Sequence, residues 1–225
     1  MSYAFVTGAS SGLGIELVRA IAGRGHDLVI TARRVSRLEE LSAELTKEHK
    51  VQVTCIPCDL TDQSALKGLL SHPALREAPA VFINNAGMGR RGGFERLTQE
   101  EIQTLLALNV TSHTQLLHHI YGLMLAAGSG KIINVASVAA FGPMPFLSVY
   151  GASKAYVLSL SAALAEEGVS RGVSVTALCP GPVDTEFFES AGVTEFHYKK
   201  TLISPERVVG VRSRAGPQRM PLAAS

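Results

Sequence analysis

The chain has 225 residues, 46% of them hydrophobic, enough for one large domain with a buried core and against a disordered chain. Its 21 basic and 19 acidic residues leave a net charge of +2 with no long run of either sign. That removes the electrostatic case for a nucleic-acid partner, and three cysteines supply no disulfide framework.

The first apolar run, residues 3–7, predicts a buried strand and leads directly into Thr7-Gly8-Ala9-Ser10-Ser11-Gly12-Leu13-Gly14 and a helix over 12–22. Glycines at 8, 12 and 14 permit a tight turn, close approach of backbone to a pyrophosphate, and close packing of helix on strand. The free N–H groups of the helix start, at the positive end of its dipole, suit a dianion. With a strand before it and a helix after it, the triplet reads as a dinucleotide-binding turn that sets Gly8, Ser10, Ser11, Gly12, Leu13 and Gly14 against the cofactor. The opening MSYAFVTGAS leaves no room for a leader ahead of this motif, so a cytoplasmic location is expected.

A second strand, 27–31, runs into Ala32-Arg33-Arg34, beside the adenosine ribose in folds of this kind. No acid stands at 31–36 to accept from a ribose 2′-hydroxyl, whereas Arg33 and Arg34 meet a 2′-phosphate, so the pattern favours NADP(H) over NAD(H). A helix is predicted at 37–48 and a strand at 51–56. Cys55 and Cys58 form a CxxC that follows this strand instead of opening a helix and lacks a second ligand pair, so they read as structural thiols, and no metal site is expected.

Further on, a helix at 63–71 precedes a strand at 80–83 that ends in Asn84-Asn85-Ala86-Gly87. A long helix follows at 99–127; its His118 and His119 have no partner at ligand spacing and read as structural or surface residues. The strand 131–136 ends at Ser137, and the helix 149–168 carries Tyr150 and Lys154 in its first turns. The uncharged stretch 132–153 holds Gly142-Pro143-Met144-Pro145, which a bilayer-crossing helix tolerates badly, so no membrane span is expected. The last predicted strand is 173–178. Beyond it, Ser204-Pro205 reads as a helix start.

The β-α alternation predicts the α/β class: a doubly wound, Rossmann-type parallel sheet of six strands with helices on both faces. The ligand crevice then lies at the carboxyl ends of the strands. Residues 1–209 form one dinucleotide-binding catalytic domain in this reading. From 210 to 225, Gly210, Pro217 and Pro221 interrupt an arginine-containing tail with neither period 2 nor period 3.6, which puts a seventh strand in doubt.

Taken together, the TGASSGLG start, Asn84-Asn85-Ala86-Gly87, Ser137, and Tyr150-Gly-Ala-Ser-Lys154 resemble the short-chain dehydrogenase/reductase family, in its compact single-domain branch. The likeness covers residues 3 to about 190. It implies an NADP(H)-dependent oxidoreductase that interconverts a carbonyl and an alcohol. Such a reduction needs a proton donor on the developing alkoxide, and a free tyrosine, with a pKa of about 10, is a poor base at neutral pH. A lysine four residues on lies on the same helix face and stabilises the phenolate.

The resemblance gives Tyr150 and Lys154 these roles, adds a nicotinamide-ribose contact for Lys154, and has Ser137 hold the substrate oxygen. It makes Asn109 the helix asparagine of a proton relay. It also implies that Asp59 and Leu60 contact adenine, that Asn85, Ala86 and Gly87 line the cofactor while Asn84 braces the sheet, and that Pro180, Gly181, Val183 and Thr185 close over the nicotinamide carboxamide. In this family the helices near 99–127 and 149–168 often form a subunit face, so a homodimer or homotetramer is expected. Phe187, Phe188, Phe196, Tyr198 and Leu202, in the segment 186–203 that shapes the pocket, suggest an apolar or amphipathic carbonyl substrate. The rival reading is a catalytically silent or truncated NADP(H)-binding regulatory protein, supported only by the atypical tail.

Overall fold

Six parallel strands organise the computed structural model, which describes residues 3–183, 185–187, 191–192 and 204–205. They are β1 (Tyr3–Thr7), β2 (Asp27–Ala32), β3 (Val53–Pro57), β4 (Val81–Asn84), β5 (Gly130–Val135) and β6 (Val173–Leu178), in the order β3-β2-β1-β4-β5-β6. The expectations for the tail at 210–225 and for a seventh strand lie outside the described residues.

The order reverses between β1 and β4, and that pair is the topological switch point. Both strands are almost wholly enclosed, with Ala4, Phe5, Val6 and Phe82 at 0% exposure. Their side chains alternate between two cores. On one face Ala4, Val6, Leu28, Ile30 and Ile83 pack with Leu17, Val18 and Ile21 of α1 (Gly12–Ala22) and with Leu38, Leu41 and Leu45 of α2 (Val35–His49). On the other, Phe5, Val29, Phe82 and Ile132 pack with α3 (Gln63–Leu70), with α5 (His113–Ala127), and with Leu160 and Leu164 of α6 (Ser148–Val169). Phe5 and Phe82 stack across the switch point, ring centroids 5.1 Å apart. Burial of each such side chain contributes roughly 1.5–3 kcal/mol, so the position of the switch point is among the best-determined features of the fold.

The period-2 alternation separates the two cysteines of the CxxC. Cys55 packs against the first core and Cys58 lies within the second, so they face opposite sides of the sheet.

Several predicted boundaries move. The third strand is Val53–Pro57 and not 51–56; its Pro57 costs no ladder bond because β3 is an edge strand. The second helix begins at Val35, two residues early, and runs to His49 before Lys50 closes it in the left-handed conformation. The fourth helix, α4 (Gln99–Leu106), starts at a capping box in which Thr98 and Glu101 satisfy each other's backbone N–H.

The larger correction concerns the predicted helix 99–127. It is continuous, but Ala107–Ser112 wind as a π-helix between α4 and α5. Ser112 Oγ donates back to the Ala107 carbonyl at 2.8 Å, and Asn109, at the centre of the widened turn, is pulled toward the end of β4.

Candidate active site

The carboxyl ends of β1, β4 and β5 open into one cleft of about 490 Å³, within the range of small-molecule sites. The residues expected to bind the cofactor or act in catalysis line it, Asn109 excepted, from Gly8 and Ser10 through Arg33, Asp59 and Asn85 to Ser137, Tyr150, Lys154 and Thr185; of the expected substrate-pocket residues Phe187 lines it, and Phe188, Phe196, Tyr198 and Leu202 lie outside the described residues.

The floor of the cleft is bare backbone. Gly8 has φ +66°, and a Cβ on Gly14 would lie 2.0 Å from the Gly8 carbonyl, so a side chain at 14 would split the turn from the helix. Ser11, the N-cap of α1, gives no side-chain cap, which leaves the first amides of the helix available to an anion. Thr7 ties this floor to the loop after β4: its Oγ1 accepts from the N–H groups of Asn85 and Ala86, both at 3.0 Å. Asn85 returns two bonds through Nδ2, to the carbonyls of Thr7 (3.0 Å) and Gly8 (3.2 Å). Asn84 instead points into the core, where Nδ2 donates to the His113 carbonyl at 3.0 Å. The bare floor, the uncapped amides and the two-sided anchoring fit the pyrophosphate of a dinucleotide.

At one end of the cleft Asp59 uses Oδ1 to hold the Thr61 amide and hydroxyl (2.9 and 2.7 Å), while Leu60, a core residue, forms the cleft wall. Arg33 faces the cleft with no hydrogen bond or ion pair among the described residues. Arg34 is engaged: Nη2 donates to the Ser10 carbonyl at 2.9 Å and Nη1 to Glu186 at 2.8 Å. Arg37, which the sequence reading assigned no role, does the same from one helical turn on, to Ser10 at 3.3 Å and Glu186 at 2.6 Å.

The other end holds Ser137, Tyr150 and Lys154. Ser137 caps the 3₁₀ turn Val138–Phe141, its Oγ accepting from the Ala139 amide at 3.1 Å. The Val138 amide donates to the Pro180 carbonyl at 3.0 Å, which fixes Ser137 beside the loop after β6. Tyr150 is 8% exposed and its ring meets Phe187 at 5.3 Å between centroids. Lys154, one turn later and 4% exposed, lies over that ring with Nζ 5.9 Å from its centroid. The ammonium donates to the Val135 carbonyl at 2.7 Å.

The electrostatics of this group differ from the expected pattern. Burial pushes the Tyr150 phenol up, and the neighbouring Ser137 hydroxyl pulls the other way. Lys154, expected to lower the phenol, faces the ring and the Val135 carbonyl, and is itself lowered by burial to about 8.

Asn109 stands behind the cleft. Its Oδ1 accepts from the Met88 amide (2.9 Å), and Nδ2 donates to the Met88 carbonyl (2.8 Å) and to Ser153 Oγ (3.0 Å). A Cβ on Gly87 would lie 3.2 Å from Lys154 Nζ and 3.4 Å from Asn109 Oδ1, so a glycine there lets the three groups meet.

Among the histidines, His118 is exposed and His119 partly so, whereas His113, which the sequence reading passed over, is 2% exposed. Burial and the nearby Lys154 charge hold His113 down to about 3, against the Asn134 amide, so it stays neutral at physiological pH. Sequence reasoning also passed over Met88, Thr104, Leu108, Val138, Met144 and Leu147 as cleft wall. Thr104 and Leu108 share a helix face at i, i+4, a spacing that equally describes core.

The family model described as short chain dehydrogenase matches residues 2–195. A sulfoacetaldehyde reductase of Chromohalobacter salexigens is 36% identical over 188 residues, covering 81% of this chain and 73% of its own. Among solved structures, a short-chain dehydrogenase from Sphingobium yanoikuyae in complex with NADPH superposes with a TM-score of 0.86 at 36% identity, covering 93% of this chain and 81% of that one. The bulky-bulky ketone specific alcohol dehydrogenase from Comamonas testosteroni gives 0.83 at 32%, covering 93% and 80%.

Proposed function

We propose that this chain, which belongs to the short-chain dehydrogenase family, is an NADP(H)-dependent oxidoreductase that interconverts an apolar or amphipathic carbonyl compound and its alcohol. The observation that carries the reading is the gathering of Ser137, Tyr150 and Lys154 on one wall of the cleft whose opposite end is the glycine turn. When bound, NADP(H) supplies or takes the hydride. The amides at Gly12 and Leu13 and the backbone of Asn85–Gly87 position the dinucleotide, with Arg33 and Arg34 toward its 2′-phosphate.

Ser137 Oγ donates a hydrogen bond to the substrate oxygen and fixes its carbon for attack. Tyr150 delivers its proton to the same oxygen in reduction and withdraws it in oxidation. Its high pKa in the free protein keeps that proton in place until the substrate arrives, and the Lys154 charge over the ring offsets the phenolate left behind. Asn109 braces Met88 and Ser153 around this group and serves the proton relay from behind it.

Met88, Leu108, Val138, Met144, Leu147 and Phe187 make the substrate end apolar, which supports a bulky neutral ketone over a small anionic aldehyde. The assembled triad supports an enzyme over the rival reading of a silent binding protein. A panel of aldehydes and ketones, each supplied with NADPH and with NADH, tests the proposal. Consumption of NADPH with apolar ketones is expected; preference for NADH, or no turnover with any member, overturns it.

A further inference from the structure

We infer that Glu186 is a latch on the 2′-phosphate seat: its carboxylate occupies Arg34 and Arg37 in the free protein and is exchanged for the phosphate when NADP(H) enters. The inference deepens the NADP(H) reading above and rests on it. Each oxygen of Glu186 takes one guanidinium, Oε2 accepting from Arg34 Nη1 at 2.8 Å and Oε1 from Arg37 Nη1 at 2.6 Å. Both arginines are anchored independently of Glu186. Arg34 donates to the Ser10 carbonyl (2.9 Å) and Ser10 Oγ (3.3 Å), and Arg37 to the Ser10 carbonyl (3.3 Å).

Two cations are therefore fixed beside the glycine turn and just past the carboxyl end of β2, where a dinucleotide's adenosine ribose lies. They stand ready for an anion with at least two oxygens. A phosphate dianion meets that requirement, and a ribose hydroxyl does not. The two arginines hold the Glu186 carboxyl below the usual carboxylate range, so it is a charged competitor at neutral pH.

Glu186 arrives from the far half of the sheet, 152 residues from Arg34 and 149 from Arg37. The bridge thus crosses the groove. On one side of Glu186, Thr185 lies so close to the glycine turn that a Cβ on Gly12 would stand 2.8 Å from its methyl. On the other side, Phe187 rests against the Tyr150 ring. A short strap consequently ties the adenosine end of the cleft to the substrate end, with the carboxylate as its fastening. The carboxylate is half exposed, and exposed ion pairs are weak. A strong pair would block the cofactor, whereas a weak one yields to a dianion.

The test titrates the intact protein and Glu186→Gln with 2′,5′-ADP and with ADP by calorimetry. Glu186→Gln should tighten 2′,5′-ADP by roughly three- to tenfold, the factor carried by one or two exposed ion pairs, and leave ADP within about twofold. Unchanged or weakened 2′,5′-ADP binding, or equal tightening of both nucleotides, overturns the latch. The unmodified protein separates this failure from that of the underlying reading. If it binds 2′,5′-ADP no better than ADP, the NADP(H) assignment itself falls; if it prefers 2′,5′-ADP and Glu186→Gln changes nothing, only the latch falls.

Discussion

Replacing Lys154 by Met should stabilise the free protein while abolishing its activity. The ammonium is 4% exposed, its one hydrogen bond among the described residues goes to the Val135 carbonyl, and burial lowers it from 10.5 to about 8. That depression corresponds to about 3 kcal/mol against the charged form. Methionine has nearly the same shape and no charge, but it leaves the Val135 carbonyl without this partner, at a cost of about 1–2 kcal/mol. A net gain of about 1–2 kcal/mol remains, which in a domain of this size raises the melting temperature by about 2–8 °C.

The gain must depend on pH in a defined direction. The folded pKa lies below the unfolded one, so between about 8 and 10.5 the unfolded chain holds a proton that the folded chain has lost. Wild-type stability therefore rises through that window, and below it the full cost of the buried charge stands. Tyr150 is common to both proteins and cancels in the difference, and His113, held down to about 3, is neutral in both throughout this window. Thermal unfolding of both proteins at about pH 7 and about pH 10 measures it: the Met variant should be the more stable at neutral pH, and at about pH 10, where wild type has recovered about 2.5 kcal/mol, the order should reverse by about 1 kcal/mol. A Met variant less stable than wild type at neutral pH, or a gap that pH does not change, refutes the reasoning.

Tyr150→Phe removes one oxygen and should lower kcat by at least ~10²-fold with NADPH affinity unchanged, as steady-state rates and a binding titration would show. Arg33→Ala should weaken NADPH by about ten- to a hundredfold and NADH far less; equal losses for the two would remove Arg33 from the 2′-phosphate. Gly14→Ala forces a Cβ against the Gly8 carbonyl at 2.0 Å and must move backbone. An overpacking cost of about 1–3 kcal/mol lowers the melting temperature by about 2–12 °C and loosens NADPH binding, both measurable in one thermal-shift series with and without cofactor.

What could be read from the sequence was whatever local chemistry dictates. Runs such as 3–7 and 173–178 are too short and too β-branched for helices, and the alternation of strand and helix leaves few topologies once crossovers are right-handed. The glycine turn announces itself because only glycine tolerates the approach of Gly14 to Gly8. Tyr150 and Lys154 come to one face through helical spacing alone.

The π turn at Ala107–Ser112 had no such signal. The choice between i→i+4 and i→i+5 is made by Asn109 reaching Met88 and by Ser112 reaching back to Ala107, contacts that depend on where β4 ends. The bridge from Arg34 and Arg37 to Glu186 spans about two-thirds of the chain and exists only because the sheet order brings the two segments to one groove. The phenol of Tyr150 follows the same rule, since its rise reflects burial, a property of the assembled pocket. Side chains that act through distant partners are set by topology, and a linear pattern does not carry them.

Hydride transfer at this site is tested most directly with NADPH bearing deuterium on the nicotinamide carbon that gives up the hydride, supplied with an apolar ketone. Mass spectrometry of the alcohol should find one deuterium on the carbinol carbon with the wild-type protein and almost no product with Tyr150→Phe. An alcohol without that deuterium, or undiminished product from the Tyr150→Phe protein, would contradict the assignment.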